Sequence, residues 1–551
     1  PLATEGHTIH YDGLHDQARD KARTRYLVPE GETLGKNLRQ IERKKGLAEV
    51  RGFLKNSMNG KEMAMRFFCL GPINSIFSIP CVQLTDSYYV AHSEDILYRS
   101  GYEYFKSIGN KNNFFRFLHS ASRLDKFVSI DIKGRRVYID YINDTVYITN
   151  TQYAGNTVGF KKLALRLAIR KASREGWLAE HMFIMTVHGP NGRRSYFTGA
   201  YPSGCGKTST SMVKGETIIG DDLAYLHHHK GEVYTANVES GIFGIIRSVN
   251  SVDDPVIWNV LNRPGEVIFS NVLISNGNPF WLGDGREVPE EGINYSGNWF
   301  KGKTDKKGNE IRHSHKNARY TIKLSELNNL DPKADDPEGV PLHGIIYGGR
   351  DPDTWVPVQQ SFNWIHGVLT MGASLESEST AATLGAEGIR TYQPFANLDF
   401  ISIPLGRYIQ NHLDFVEGLN KVPKIFSVNY FLRDKEGNYL NGKQAKRVWL
   451  KWMELRVHKE VGALRTPTGF IPKYDDLKRL FRSVLDQDYK EKDYEQQFEI
   501  EVTELLAKIR RIGRKYRASV PDAPDILYRL LNAQKYRLLA ARAQFGDSIR
   551  P

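Results

Sequence analysis

The chain has 551 residues, enough for two or three domains with sizeable cores, and is 40% hydrophobic, 11% aromatic and 25% charged, which excludes a low-complexity or disordered protein. Lysine and arginine outnumber aspartate and glutamate by 13, a surplus suited to small polyanions such as nucleotides. Three cysteines (Cys69, Cys81, Cys205) exclude a disulfide framework, and no apolar run reaches the length of a membrane span.

With an opening PLATEGHTIH that lacks a signal-peptide core, these features set the expectation of a cytoplasmic protein with no nucleic-acid and no membrane partner. Residues 1–60 are charged and mixed. AMRFFCLGPINSIFSIPCVQLTDSYYV (64–90) reads as strands and turns, and RRVYIDYINDTVYIT (135–149) alternates in the strand manner. KKLALRLAIRKASREGW (161–177) places apolar residues at helical spacing opposite a basic face. FIMTVHG (183–189) and RSYFTGAY (194–201) read as a hairpin turning at Gly189 to Gly192, and ETIIGDDLAY (216–225) as an apolar strand ending in two aspartates.

Residues 276–338 are rich in Gly, Asn, Lys and Asp and predict a loop-rich insertion. Strand signals return at LHGIIYGG (342–349). The tail after Pro472 is helical, with Leu477, Leu480, Phe481, Val484 and Leu485 on one face. Two further helical stretches follow. The basic run from Lys508 to Lys515 reads as a solvated helix face rather than a polyanion site.

YPSGCGKTS (201–209) carries the chemistry. Gly206-Lys207-Thr208 is the end of a Walker A phosphate loop, but the glycine required five residues earlier is Tyr201. An apolar strand enters the stretch and a helix leaves it, an arrangement that points backbone N–H groups at phosphate oxygens. Lys207 is placed to reach the β- and γ-phosphates and Thr208 to offer its hydroxyl to Mg²⁺. Asp221 and Asp222 stand where a second motif supplies metal-bound carboxylates. Cys205, at a helix N-terminus near Lys207, is expected to have a lowered thiol pKa and to be reactive.

YPSGCGKTS followed by GDD resembles the GTP-dependent phosphoenolpyruvate carboxykinases, whose loop reads close to FPSACGKTN. LTDSYYV (84–90), QYAGNTVGFKK (152–162), REGWLAEHM (174–182), EGVPLHGIIYGGR (338–350), FNWIHGV (362–368) and PKIFSVNYF (423–431) are similar to family segments in the same order. The resemblance implies an α/β, two-lobed carboxykinase fold with mixed sheets and a P-loop nucleotide-binding lobe. The implied lobes are a substrate-binding lobe at 1–176, a nucleotide-binding lobe at 177–473 and a C-terminal helical extension at 474–551. Residues 240–335 would form a substrate-binding insertion in the nucleotide lobe, and 375–388 a lid.

The implied activity is metal-dependent decarboxylation of oxaloacetate with phosphoryl transfer from GTP, giving phosphoenolpyruvate, CO₂ and GDP, in gluconeogenesis or anaplerosis. Lys162, His181 and Asp222 match ligands of a catalytic Mn²⁺, with Thr208 and Asp221 near the Mg²⁺ of the nucleotide. Arg23 matches the arginine that grips substrate carboxylates, with Arg25 as a close alternative. Tyr153, Ala154 and Gly155 match a wall beside substrate and CO₂, and Lys161 a contact to substrate oxygens. Ser203, Asn317 and Arg319 match further substrate residues. Ser203, Cys205, Lys207 and Arg319 take the catalytic positions. Gly204, Cys205, Gly206, Lys207, Thr208, Ser209, Arg350, Phe431 and Tyr439 match the nucleotide site. A monomer is implied.

Two segments depart from the family. Leu375-Glu376-Ser377-Glu378 stands where members carry Arg-Ser-Glu, and LNGKQAK (440–446) shortens the WPGFGEN loop that reads guanine. These departures leave pyrophosphate or ATP open as phosphoryl donors. A non-catalytic basic binding module on a kinase-like fold is the alternative from another class.

Overall fold

In a computed structural model the chain folds into mixed α/β layers. The structure describes residues 5–17, 19–36, 38–109, 113–126, 128–153, 155–157, 160–379 and 388–551, with the side chains of 160 and 161 outside the description. Contacts divide the chain into two units, residues 1–170 with 237–330, and residues 171–236 with 331–551.

The first unit is built on an eight-stranded mixed sheet. Its middle holds Arg136–Asp140 and Thr145–Thr149, the alternating segments of the sequence, beside Phe115–Ser120. The helix Arg43–Leu54 covers this sheet with Leu47 and Val50, packing on Leu27, Tyr138 and Tyr147. A second sheet explains why the unit is discontinuous. His7–His10 lies parallel to Val267–Ser270, which pairs antiparallel with Arg319–Lys323. The N-terminal strand therefore recruits the 237–330 segment into its own unit, where the sequence had placed residues 240–335 with the nucleotide-binding residues.

That segment is also less loop-rich than its composition suggests. Asn278–Phe280, Glu291–Asn294 and Gly297–Phe300 are strands of a four-stranded sheet, and Leu273, Trp299 and Ile311 form its core. The glycines sit in the turns. Gly297, with φ of 84°, opens the hairpin that pairs Glu291 to Asn294 with Gly297 to Phe300. The helix Phe160–Glu175 matches the expected one, but Leu163, Ala164, Leu165, Leu167, Ala168 and Ile169 are all buried, so it is covered on more than one face.

The second unit is built on an eleven-stranded sheet. The expected hairpin is there: Phe183–His188 pairs antiparallel with Arg194–Ala200 through a 3₁₀ turn at Pro190–Gly192. Arg194–Ala200 continues parallel to Val340–Gly349, which lies parallel to Lys424–Asn429. Parallel neighbours need both faces covered, and these strands are correspondingly buried along most of their length.

The C-terminal helices Tyr474–Leu485, Glu491–Gln497, Val502–Ser519 and Asp525–Phe545 belong to this unit. Leu477, Leu480 and Phe481 are buried as their spacing implied, while Val484 and Leu485 are half-buried. The basic run is not wholly solvated. Arg510, Arg514 and Lys515 are exposed, but Lys508 is 5% exposed and Arg511 is paired with Glu376. No described helix is long and apolar enough to cross a membrane.

Candidate active site

The strand Arg194–Ala200 delivers the chain into residues 201–209 at the carboxyl end of a parallel pair, where open α/β sheets place their ligands. Gly204 and Gly206 have φ of 76° and 95°, a left-handed backbone that glycine adopts without strain. The helix Lys207–Ser211 begins immediately after. Thr210 N and Oγ1 donate to the Gly206 carbonyl at 3.0 and 2.7 Å, and Cys205 N donates to Pro202 at 3.1 Å.

Tyr201, the apparent defect in the motif, is fully buried. Its hydroxyl lies 3.1 Å from that of Tyr430, and its ring lies where a Cβ on Gly348 would come within 2.1 Å. A large side chain on the loop is thus accommodated by a missing one on the neighbouring strand.

Asp221 and Asp222 follow the strand Thr217–Gly220, which is held in place by Phe183–His188. Asp221 accepts from Ser211 Oγ at 3.4 Å and is 5% exposed. Asp222 Oδ1 lies 3.0 Å from His181 Nε2. The Ala396 carbonyl, which can only accept, lies 3.1 Å from His181 Nδ1. With its proton on Nδ1, donated to that carbonyl, the ring leaves Nε2 facing the carboxylate as a second acceptor. Two acceptors so close make a niche for a cation. The ammonium of Lys207 occupies it, 3.4 Å from Nε2 and in an ion pair with Asp222.

The donor set fits a divalent transition metal, which takes imidazole and carboxylate ligands together. Among the described residues there is no cluster of three or more His, Cys, Asp and Glu for a metal, so the histidine and the aspartate need a different third ligand. Lys162, the expected one, is half-buried in the first turn of Phe160–Glu175 in the other unit.

The thiol of Cys205 departs from expectation. It is 1% exposed, with Sγ 3.3 Å from Ser377 Oγ, and burial pushes its pKa up, against the lowering effects of Ser377 and Arg350. The following helix has only five residues and Lys207 is committed to Asp222, so the features that normally activate a loop cysteine are weak here.

Arg350 lies against the loop. Its Nε donates to Gly204 O at 3.1 Å and its guanidinium stacks 3.9 Å over Phe431. Phe431 and Tyr439 meet edge to face at 6.0 Å and 70°. The shortened 440–446 stretch runs straight into the helix Ala445–Val457, and Asn441 Nδ2 donates to Asn429 O at 3.3 Å. Ser203, Thr208 and Ser209 lie in the loop, and Ser209 Oγ donates to Gly206 O at 3.2 Å.

In the first unit, Tyr153 is fully buried, and Asp16 holds its backbone by accepting from Gln152 N at 2.9 Å and Tyr153 N at 3.2 Å. Its hydroxyl accepts from Asn317 Nδ2, and Asn317 Oδ1 accepts from Arg319 Nη2 at 2.9 Å. Burial pushes the Tyr153 phenol up, opposed by Arg319 and Arg19. Gly155 is pressed between the Tyr153 ring and Arg19, whose Cγ would lie 2.8 Å from an added Cβ.

Arg23 is engaged elsewhere, donating to Asp20 Oδ2 at 3.1 Å and to Ile132 O at 3.4 Å, and Arg25 Nε donates to Ala22 O at 3.5 Å. Arg19 is therefore the arginine beside Tyr153 and Gly155. Its sequence neighbourhood, QARDKARTR, offers three candidate arginines and no local signal to choose among them. Ala154, the Lys161 side chain and residues 380–387 of the expected lid lie outside the described residues. The lid base is described: Glu376–Glu378 pairs antiparallel with Arg390–Tyr392.

Comparison with known proteins agrees across the chain. A family model described as phosphoenolpyruvate carboxykinase C-terminal P-loop domain matches residues 177–537, and one described as phosphoenolpyruvate carboxykinase N-terminal domain matches residues 1–173. A protein named phosphoenolpyruvate carboxykinase [GTP] from Thermococcus sibiricus is 57% identical over 100% of this chain and 88% of its own length. The equally named protein of Pyrococcus abyssi is 57% identical over 99% of this chain and 88% of its own. That of Saccharolobus solfataricus is 46% identical over 100% and 88%.

Proposed function

The chain belongs to the GTP-dependent phosphoenolpyruvate carboxykinase family, and from that premise we propose how its own residues divide the reaction. The enzyme is a carboxy-lyase that converts oxaloacetate and GTP into phosphoenolpyruvate, CO₂ and GDP. The alternatives of a pyrophosphate or ATP donor and of a non-catalytic module find no support among relatives so named.

Functionally, residues 1–176 act on substrate, and the 240–335 segment lends them Asn317 and Arg319. Residues 177–473 act on nucleotide, with 474–551 as their helical extension. Lys162, His181 and Asp222 would hold the catalytic metal, which we assign as Mn²⁺, while Thr208 and Asp221 lie beside the Mg²⁺ of the nucleotide. A dication bound there supplies electrostatic stabilisation of enolate charge. An amine ligand must be neutral to bind, so Lys162 gives up its proton on metal binding.

Arg319, Asn317, Tyr153 and Gly155 orient the oxaloacetate carboxylates. Arg19 takes the gripping role first expected of Arg23, because it lies against Gly155. Cleavage of the C–C bond releases CO₂ and leaves its electron pair on the enolate. The enolate oxygen then attacks the γ-phosphorus and GDP departs. No general base is required, since decarboxylation makes the nucleophile.

Lys207, Arg350 and Arg319 offset charge on the transferring phosphoryl group, work that is mostly positioning and electrostatics. Ser203, Cys205 and the remaining loop residues Gly204, Gly206, Thr208 and Ser209 shape the phosphate cradle. Phe431 and Tyr439 face the base. Residues 375–388 shield the enolate from protons that would convert it to pyruvate. The enzyme on this reading is a cytoplasmic monomer without nucleic-acid or membrane partners.

The observation that supports this reading is the contact of Lys207 with His181 and Asp222, the residues we assign to phosphate and to metal. The test is oxaloacetate and Mn²⁺ with GTP, ATP, ITP or pyrophosphate in separate reactions, measuring phosphoenolpyruvate. Product with GTP is expected. Product with pyrophosphate alone, or with none of the four, would overturn the assignment.

A further inference from the structure

The helix Val502–Ser519 turns part of its basic run inward. Lys508 Nζ lies 4.5 Å over the Trp355 ring and donates to Asp351 Oδ2 at 3.3 Å and to Thr354 Oγ1 at 3.2 Å. One turn on, Arg511 grips Glu376 with a fork, Nε to Oε1 at 3.2 Å and Nη2 to Oε2 at 2.8 Å. Further along, the Tyr516 hydroxyl donates to Ala373 O at 2.9 Å, and its ring meets Tyr392 at 5.5 Å. Asp351 and Glu376 are 2% and 6% exposed, so each needs its cation.

Each acid is one residue away from a group that touches the P-loop. Asp351 follows Arg350, whose Nε donates to Gly204 O at 3.1 Å. Glu376 precedes Ser377, whose Oγ accepts from Arg350 N at 3.1 Å and lies 3.3 Å from Cys205 Sγ. Glu378 N closes the arrangement on Arg350 O at 2.9 Å.

We propose that Lys508 and Arg511 are positioning residues of the phosphate site: through Asp351 and Glu376 they hold Arg350 and Ser377 against the loop at Gly204 and Cys205. A helix far along the chain thereby sets the rear wall of the nucleotide's phosphate cradle. The charge that complements Glu376 comes from Arg511. The inference rests on the reading above that residues 201–209 bind nucleotide phosphates.

The test uses the full chain with Arg511→Gln, Arg511→Lys and Glu376→Gln, and Arg193→Gln as a control. Arg193 pairs with the buried Glu454 at 2.8 Å elsewhere in the same unit. Three quantities are read: melting temperature, the rate at which iodoacetamide labels Cys205 without nucleotide (located by peptide mass), and GDP affinity by titration.

Arg511→Gln and Glu376→Gln are expected to label Cys205 about tenfold faster and to bind GDP about tenfold more weakly, the scale of a small misplacement at a binding site. Arg511→Lys, which keeps the charge, should recover most of both. Arg193→Gln should lower the melting temperature and leave both readouts at wild-type values. Wild-type labelling and GDP affinity in Arg511→Gln and Glu376→Gln would overturn the proposal, and so would equal changes in Arg193→Gln. If Arg511→Gln does not fold, Arg511→Lys and Glu376→Gln decide by the same two readouts. Failure of the wild-type protein to bind GDP would instead sink the nucleotide reading, and the labelling rates would still decide the positional one.

Discussion

Replacing Lys207 by methionine separates the two tasks its ammonium performs. It is the cation between Asp222 and His181, in surroundings that leave its side chain 13% and that of Asp222 6% exposed. Methionine keeps the stem and removes the charge, leaving a carboxylate in a nearly dry niche. Breaking a buried pair by deleting one partner costs on the order of 3–5 kcal/mol, and we expect about 3 for Lys207→Met in EDTA because the niche keeps some solvent. Mn²⁺ should close most of that gap. A ligand at a hundred times its Kd stabilises by about 2.7 kcal/mol, and in the variant it also meets the unbalanced carboxylate.

Turnover should not recover, since the charge is also needed at the phosphoryl group. A loss of at least ~10²-fold in phosphoenolpyruvate formation is expected, the scale of one preorganised donor. Urea denaturation with EDTA or Mn²⁺ measures the first effect, and coupled steady-state assays the second. A variant as stable as wild type in EDTA, or one that turns over normally with Mn²⁺, would refute the reasoning.

Gly348→Ala places a methyl 2.1 Å from Tyr201 Cε1, so the ring must retreat and its contact with the Tyr430 hydroxyl at 3.1 Å is disturbed. Overpacking of this kind costs about 1–3 kcal/mol, readable in urea, and kcat/KM should fall by about tenfold or more as the loop moves. Burial holds the Cys205 thiol above the ordinary range, so its labelling should keep rising past pH 9, with GDP protecting; a plateau below pH 8 would contradict this.

Burial, with Arg537 nearby, pushes His366 from 6.5 down to about 3. The unfolded chain therefore takes up this proton first as pH falls. The stability present above pH 6.5 should decline by about 3 kcal/mol on the way to pH 4. His366→Gln should flatten that slope in denaturation curves measured across pH.

The sequence was most legible where the chemistry is local. The strand, glycine loop and helix around Lys207, the hairpin 183–200 and the aspartates after Ile219 are all short-range patterns, and they form as read. Long-range pairing was not legible. Nothing in HTIH announces a partner at Val267–Ser270, so the grouping of residues 237–330 with that strand was not readable in advance.

Short strands separated by glycine turns, as at Asn278–Phe280 and Gly297–Phe300, carry too few residues for a periodicity. Cys205 misled because its neighbours in sequence are activating while its neighbours in space desolvate it. Lys508 and Arg511 look like surface charge until the acids they meet, more than a hundred residues away, are known.

The pairing of His7–His10 with a strand beginning at Val267 has a consequence for synthesis. A chain emerging from the ribosome must hold His7–His10 unsatisfied until Arg319–Lys323 has followed and the small sheet can assemble. Meanwhile the strand Arg194–Ala200 waits for Val340–Gly349, which is made later still. Each unit thus begins before the other is complete, and unpaired strand edges of both remain exposed together during translation, a window in which a chaperone would have the most to protect.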